Sequence, residues 1–399
     1  MVFRWRFYMD KNTKTMLWIL LGNLFIAFLG IGLVIPVLPT IMNELQVSGK
    51  VIGYLTASFA LTQLIFSPFA GKAVDKYGRK IMIVLGLFIF GFSELLFGMG
   101  KTIEVLFISR ILGGVSAAFI MPAVTAFIAD ITTMETRAKA LGLMSASIST
   151  GFIIGPGIGG MLAMIGSRVP FYSAAVLGVV AAILSILLLK EPERQKVEIE
   201  ESGPMENMSG FKKIFIPMFF IAFLVIVVSS FGLAAFESFF SLYTDHKFGF
   251  EPYDIAIAIT GGAIFGAIFQ VWLFAPLTKR FGEIGVIRGS LFFSAILVYM
   301  MTVVNHYWAI MAVTFTVFIG FDLIRPAVTT YLSRIAGKDQ GFVGGMNSFF
   351  TSLANVFGPI VGGILFERNI DAPYHFSAVV LLLCVVITLF WRQPKEATL

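Results

Sequence analysis

The sequence predicts an all-α membrane protein with twelve transmembrane helices in two pseudo-symmetric six-helix bundles. Hydrophobic residues make up 58% of the 399 residues and charged residues only 13%, whereas about a quarter of a soluble domain is charged. About twelve apolar segments of roughly 20 residues can be distinguished, and each is long enough to cross the hydrocarbon core as a helix. Short stretches of sequence also recur in the same order in both halves, which indicates an internal duplication.

The order of the spans sets the predicted domain boundaries. Residues 190–213 form the one long polar segment and carry charges of both signs together with Gly and Pro, which is typical of a flexible cytoplasmic linker. We therefore predict a first bundle in residues 1–189 and a second in residues 214–399. The predicted spans are residues 16–40, 51–71, 80–99, 103–126, 138–165, 170–189, 214–243, 253–276, 284–304, 307–333, 342–366 and 374–391.

Three short sequence matches support the duplication. One such match could arise by chance in so apolar a chain, but three at corresponding spans and in the same order argue against chance. Parallel repeats of six spans are typical of transporters that rock around a site near the middle of the membrane. The matching pairs are Phe25–Leu29 with Phe220–Leu224, Pro122–Thr125 with Pro326–Thr329, and Gly155-Pro156 with Gly358-Pro359.

The distribution of charge predicts how the chain is oriented. The net charge is +6, but most Lys and Arg residues lie in loops on one side of the predicted spans, as the positive-inside rule describes for cytoplasmic segments. We therefore predict a multi-pass protein of the cell membrane with both termini in the cytoplasm, the lipid bilayer as a partner, and no binding of nucleic acid. No site of small residues suited to cleavage follows the first span, so we expect a retained helix rather than a signal peptide.

Charged residues inside the spans mark the candidate functional site. Asp322 and Arg325 lie within the tenth predicted span, where each charge costs roughly 3 kcal/mol. Phe318, Asp322 and Arg325 fall at i, i+4 and i+7, so they share one helix face, which we expect to line a water-filled cavity. Glu237 is a further acid in the seventh span. Because burial favours the neutral form of a carboxyl group and a nearby cation favours the ionised form, we predict that Glu237 carries a proton and that Asp322 does so when Arg325 moves away.

Glu94 and Arg110 are a second pair of charges inside predicted spans. They lie on adjacent antiparallel spans at similar distances from the connecting loop, so they are predicted to meet at similar depth. The sequence leaves two roles open for them, a neutralising ion pair and a direct part in proton transfer.

Three motifs carry a resemblance to a known family. Residues 71–80 read GKAVDKYGRK, residues 110–118 read RILGGVSAA, and residues 151–160 read GFIIGPGIGG. Together they resemble the major facilitator superfamily, and the third resembles the motif of its drug/proton antiporters. The glycine spacing of the third motif also fits a dinucleotide-binding loop, but no strand precedes it and no soluble βαβ unit surrounds it.

The resemblance implies roles for two sets of residues. The charged loop, residues 71–80, is expected to latch the cytoplasmic ends of the bundles, with Asp130 as the partner of Arg79. Lys279 stands in the second half where the first has Asp75, so the latch is expected to be asymmetric. The glycines of the third motif are expected to let helices pack closely and bend at the bundle interface. The latch residues are Gly71, Asp75, Gly78, Arg79, Lys80 and Asp130, and the motif residues are Gly151, Gly155, Pro156, Gly159 and Gly160.

The resemblance also implies a function. It predicts proton-coupled efflux of lipophilic, often cationic drugs by alternating access, carried out by a monomer with protons as the coupling ion and no other cofactor or metal. An exporter of one specific metabolite and a proton-coupled nutrient importer of the same superfamily are the alternatives. The sequence contains no zinc-protease or Walker motif, so we do not expect an enzyme. Aromatic faces attract both apolar bodies and cations, and the residues expected to bind substrate are Phe28, Ile35, Phe59, Gln63, Phe152, Phe318, Phe321 and Asn355.

Overall fold

The computed structural model of the protein describes residues 11–192, 217–336 and 340–391. Within them, 11 helical segments are long and apolar enough to cross a membrane. Of the predicted linker, only residues 190–192 belong to the described part of the chain. The helices are α1 (Lys11–Val34), α2 (Leu38–Glu44), α3 (Gly49–Tyr77), α4 (Arg79–Met99), α5 (Ile103–Ile131), α6 (Met134–Ala163), α7 (Val169–Leu188), α8 (Pro217–Phe248), α9 (Pro252–Val303), α10 (Tyr307–Ala336), α11 (Gln340–Arg368) and α12 (Ala372–Leu389).

Helix α9 accounts for two of the predicted spans. It has 52 residues and a non-helical backbone at Gly282, where φ is 68° and ψ is 169°. A straight helix of that length would measure about 80 Å, far more than the roughly 30 Å of hydrocarbon in a bilayer. The residues before and after Gly282 therefore form the eighth and ninth spans, and the prediction of twelve transmembrane helices is confirmed.

Local sequence signals explain several helix ends. Pro36 has no backbone N–H group, and a 3-10 turn at Ile35–Val37 separates α1 from α2 within a single span. Helix α6 follows Thr133, which forms a capping box with Thr136. Pro252 occupies the first turn of α9, where its missing N–H group leaves no hydrogen bond unmade.

Contacts divide the described chain into two compact units, residues 11–35 with 62–192 and residues 36–61 with 217–336 and 340–391. In the first unit α1 packs against α6 and α7, and α4 packs against α5 and α7. In the second unit α8 packs against α11 and α12, and α9 packs against α10 and α12. The two units use the same order of helix pairing, as a duplicated chain should.

Residues 36–61 belong to the second unit by their contacts, although they precede the predicted linker. Glycines on α3 make this approach possible, because a Cβ atom at Gly53 would collide with the carbonyl oxygen of Pro359 on α11. A Cβ atom at Gly49 would lie 2.7 Å from Cδ1 of Phe366. The division between the two units therefore falls within α3, after Leu61, a feature that the order of the spans did not predict.

The first unit has a core of aliphatic and aromatic side chains. Leu20 and Leu24 of α1, Phe127 of α5 and Ala181 of α7 are all fully buried there. One buried polar pair crosses the same region, since Asn23 Nδ2 on α1 donates a 2.8 Å hydrogen bond to Ser185 Oγ on α7. The bond satisfies two polar groups that would otherwise be costly inside a membrane protein.

The turns after the second and eighth spans share an unusual backbone. Gly78 has φ 108° and Gly282 has φ 68°, a region that costs other residues roughly 1–2 kcal/mol. The two glycines occupy the same position of the loops 71–80 and 275–284. The loop therefore keeps its turn in both halves, even though Lys279 stands where the first half has Asp75.

Candidate functional site

The acids Glu237 and Asp322 and the base Arg325 come together in the second unit. Glu237 lies on α8, and the other two lie on α10. Glu237 is within electrostatic range of both Asp322 and Arg325, and Asp322 is attracted by Arg325. Two ionised acids repel each other, so a proton or a positive charge that arrives at one changes the energy of ionising the other.

The protein does not fully cover any of these three side chains. Glu237 and Arg325 are exposed, and Asp322 is half-buried. Within residues 11–192, 217–336 and 340–391, none of the three takes part in a salt bridge. Ionisable groups at membrane depth are retained when they face water or each other. The arrangement therefore suits a water-filled surface at which both carboxyl groups can exchange protons or meet a cation.

Phe318 and Phe321 are buried in the second unit, with 6% and 4% of their surface exposed. Both rings contact Phe236 of α8, at centroid distances of 5.9 and 6.3 Å. A Cβ atom at Gly262 would lie 2.5 Å from Cδ2 of Phe318, so the bare backbone of α9 lets that ring insert between the helices. Both rings therefore fill a contact between helices, and their role in binding substrate stays a prediction.

The other predicted substrate residues are distributed over both units. In the first unit the rings of Phe28 and Phe152 are 4.9 Å apart and form one aromatic patch, while Ile35 and Gln63 are half-buried. In the second unit Asn355 on α11 is exposed and Phe59 on α3 is half-buried. Their role in binding substrate stays a prediction.

Glu94 and Arg110 form an ion pair inside the first unit. Arg110 Nη2 lies 3.1 Å from Glu94 Oε1, with Glu94 almost fully buried. The guanidinium also lies over the ring of Phe97, 4.4 Å from its centroid. In the described part of the chain, Glu94 Oε2 and Arg110 Nε are buried without a hydrogen-bond partner. The pair neutralises both charges but leaves part of each group unsatisfied.

The charged loop between α3 and α4 is held by three carboxylates. Arg79 Nε lies 2.8 Å from Asp130 Oδ2, and its Nη2 lies 3.5 Å from Asp75 Oδ1. Glu191, at the end of α7, accepts hydrogen bonds from the backbone N–H groups of Arg79 at 2.6 Å and Lys80 at 2.8 Å. A carboxylate at a helix N-terminus satisfies free N–H groups and meets the positive end of the helix dipole. At Gly71 a Cβ atom would meet no atom within 4 Å.

The glycine motif of α6 faces α1 within the first unit. A Cβ atom at Gly151 would lie 2.8 Å from the carbonyl oxygen of Phe25, and one at Gly155 would lie 2.7 Å from that of Leu29. One at Gly159 would collide with the carbonyl oxygen of Leu33. Pro156 and Gly160 of the same helix are buried as well. The motif therefore brings two helix backbones into direct contact.

Comparison with known proteins identifies the family. A model of the Major Facilitator Superfamily matches residues 20–273 and 222–399. The chain belongs to this superfamily. It is therefore a multi-pass membrane transporter.

Several relatives within the superfamily are similar over nearly the full length. Multidrug resistance protein 1 of Bacillus subtilis is 64% identical over 388 residues, covering 97% of this chain and 99% of that protein. Multidrug resistance protein 2 of the same organism is 50% identical, covering 97% of each chain. Quinolone resistance protein NorA of Staphylococcus aureus is 46% identical, covering 95% of this chain and 97% of that protein.

Solved structures of other transporters share the fold at low sequence identity. A bacterial homologue of the human lysosomal transporter Spinster has a TM-score of 0.78 at 18% identity and covers 95% of each chain. The nucleoside transporter NupG has a TM-score of 0.71 at 14% identity and covers 95% of this chain and 98% of its own.

At the loops 71–80 and 275–284, two charged interactions were not predicted from the superfamily motifs. Arg334 Nη2 lies 3.0 Å from Glu283 Oε2, at the positions in the second half that correspond to Asp130 and Arg79. The polarity of the pair is reversed between the halves. The repeat of the loop sequence could have located this pair, because Glu283 follows Gly282 as Arg79 follows Gly78. The only sequence signal for the second interaction is the dipeptide Glu191-Pro192, which follows the end of α7.

A cavity of about 520 Å³ lies in the first unit beside the charged loop. Asp130 and Glu191 are among its lining residues, together with the start of α1 and the ends of α5 and α7. Both carboxylates are already engaged by Arg79 and by the N-terminus of α4, so we assign this cavity to the packing around the loop.

Proposed function

We propose that this chain exports lipophilic, often cationic drugs in exchange for protons. The similarity over nearly the full length to two multidrug resistance proteins and a quinolone resistance protein carries the proposal of substrate class. The proposal of proton coupling rests on Glu237 and Asp322, two acids within predicted spans that the protein does not fully cover and that interact with each other and with Arg325.

The proposed exchange uses the competition between protons and a positive charge at the two acids. When both acids are protonated, the site is neutral apart from Arg325. A cationic drug favours the ionised acids, so its arrival displaces protons, and protons that enter from the other side release the drug. The Arg325 guanidinium acts as a resident competitor for the same carboxylates. Alternating access to the two sides of the membrane then couples the two fluxes.

We further propose a monomer with both termini in the cytoplasm. The excess of Lys and Arg in loops on one predicted side supports the orientation. Twelve spans, an even number, return the chain to the side on which it began.

Transport assays test this function. Cells that express the chain are expected to extrude ethidium, and an uncoupler of the proton gradient is expected to stop the extrusion. In proteoliposomes with an imposed pH difference, Glu237→Gln and Asp322→Asn are expected to abolish uphill transport, because neither amide can exchange a proton. Drug binding should weaken by about tenfold or less in each variant, since one acid remains.

Glu104→Gln is the matched control, because Glu104 is exposed at the start of α5 and far in sequence from both acids. It should pump like the unmodified chain. Uphill pumping by folded Glu237→Gln and Asp322→Asn would contradict the proposed coupling. Uptake of substrate into energised cells would identify an importer instead.

A further inference from the structure

A break in the hydrogen bonding of α10 falls at Asp322. In an α-helix the carbonyl oxygen of residue i accepts a hydrogen bond from the N–H group of residue i+4. For Asp322 that donor would come from Pro326, which lies inside α10 and has no N–H group. The main-chain oxygen of the candidate proton carrier therefore lacks its helical partner, at a depth where an unsatisfied carbonyl is costly.

Gln270 on α9 supplies the missing donor. Its Nε2 atom lies 2.7 Å from the main-chain oxygen of Asp322 in a partly buried contact. Gln270 is the only side chain with an amide group between residues 255 and 281 of α9, a segment that is otherwise mostly apolar. The unsatisfied carbonyl of Asp322 explains why a glutamine lies opposite the Pro326 break, because the Gln270 side chain provides an N–H donor from a neighbouring helix.

Gly266 lies on α9, one turn before Gln270, and it fixes the position of the Asp322 carboxyl group. A Cβ atom at Gly266 would collide with Asp322 Oδ2 and would lie 3.0 Å from Cβ of Phe318. The carboxyl group therefore lies against the bare backbone of α9. Gly266 and Gln270, at i and i+4 on one face of α9, hold the side chain and the main chain of the same residue.

The charged neighbours of Asp322 come from other elements. Arg325 lies on α10 itself and Glu237 on α8, and both interact with it. Residues 255–278 of α9 and residues 341–366 of α11 contain no ionisable side chain. The contribution of α9 to the site is therefore geometric: it sets where the Asp322 carboxyl group sits between Arg325 and Glu237.

We propose that Gly266 and Gln270 are positioning residues that tie Asp322 to α9, so that the acid and the Pro326 break of α10 move together with that helix. The proposal deepens the proposed function and rests on it. A protonation change at Asp322 then acts on two helices at once, and a movement of α9 carries Asp322 with it and changes its distance to Glu237 on α8.

Substitutions on α9 separate this role from simple packing. Gln270→Met keeps the length of the side chain and removes the donor, and Gly266→Ala displaces the carboxyl group. Both are expected to shift the pH at which ΔpH-driven ethidium transport is half-maximal by about 0.5 unit or more. Gly262→Ala is the matched control, because it disturbs the same helix contact at Phe318 without touching Asp322. It is expected to lower the melting temperature and to leave the pH profile in place.

A double-mutant cycle with Pro326 identifies the carbonyl as the target. Pro326→Ala restores the helical N–H donor to Asp322, so Gln270→Met should lower the melting temperature much less in that background than in the unmodified chain. Equal losses in both backgrounds would overturn the proposal, and so would an unchanged pH profile in Gln270→Met and Gly266→Ala when the unmodified chain pumps. If the unmodified chain shows no ΔpH-driven transport, the proposed function fails and this inference fails with it.

Discussion

At the scale of single residues, the charged side chains of this membrane protein fall into two kinds, which differ in burial and in pairing. Arg79 and Asp130 are nearly buried and paired at 2.8 Å, with 11% and 8% of their side chains exposed. Glu237 and Arg325, in contrast, are exposed and have no salt-bridge partner among the described residues. Paired charges of the first kind stabilise a loop, whereas unpaired acids of the second kind remain available for exchange.

The two loop pairs give a test at this scale. Asp130→Asn leaves the nearly buried Arg79 without its main partner and is expected to cost about 2 kcal/mol, between the values for exposed and fully buried pairs. Glu283→Gln is expected to cost less than about 1 kcal/mol, because the partner Arg334 keeps 49% of its side chain exposed. Thermal melting of the purified protein measures both, and equal losses would contradict the ranking. The reversed pair Glu283→Arg with Arg334→Glu should melt close to the unmodified chain.

At the scale of helices, glycine decides which elements touch. The stripe Gly151, Gly155 and Gly159 brings α6 onto α1, and Gly262 and Gly266 bring α9 onto α10. Hydrophobic burial does not drive helices together inside lipid, so close backbone packing is a main source of their association. The same stripe was expected from the sequence, but its partner helix was not, because a spacing of four residues defines a face and not its neighbour.

The glycine stripe gives the second test. Gly155→Ala is expected to destabilise the protein by about 1–3 kcal/mol, because its Cβ atom would lie 2.7 Å from the Leu29 carbonyl oxygen. Gly142→Ala on the same helix is the control, since a Cβ atom there meets nothing within 4 Å, and its better helix propensity should stabilise slightly. Melting temperatures in detergent measure the difference. Similar melting temperatures for the two variants would show that the close approach of α6 to α1 does not contribute to the stability of the protein.

At the scale of the whole molecule, duplication explains the pairing order of the helices and the glycine turns at Gly78 and Gly282. The halves then diverge in their charges. The loop pair has reversed polarity, and the intramembrane charges are a closed pair in the first unit and an open trio in the second. One scaffold therefore carries two different electrostatic arrangements, of which the second is suited to the proposed exchange.

The proposed orientation is tested with single cysteines. Cys384 is the sole cysteine and is only 1% exposed, so Cys384→Ser provides a background without reactive thiol. A membrane-impermeant maleimide is expected to label Lys101→Cys in intact cells but to label Lys72→Cys only after permeabilisation. Both lysines are exposed in the structure, so accessibility within the protein does not limit the reaction. The opposite labelling pattern would reverse the proposed topology.

The sequence by itself determined the class, the twelve spans and the identity of the intramembrane charges. These follow from local properties: the length of an apolar run, the cost of a charge in hydrocarbon and the recurrence of short stretches. It also indicated the partnership of Arg79 with Asp130, because the motif and the end of the span placed them at the same membrane face.

Only the tertiary structure decided which groups meet across helices. Four findings depend on how each helix is rotated and on which helix lies beside it. They are the burial of Phe318 and Phe321, the capping of α4 by Glu191, the grouping of residues 36–61 with the second unit, and the hydrogen bond from Gln270 to Asp322. A hydrophobic pattern cannot fix that rotation in a membrane protein, since lipid-facing and core-facing surfaces are both apolar. The glycines and prolines that set the rotation act through contacts between segments far apart in the sequence.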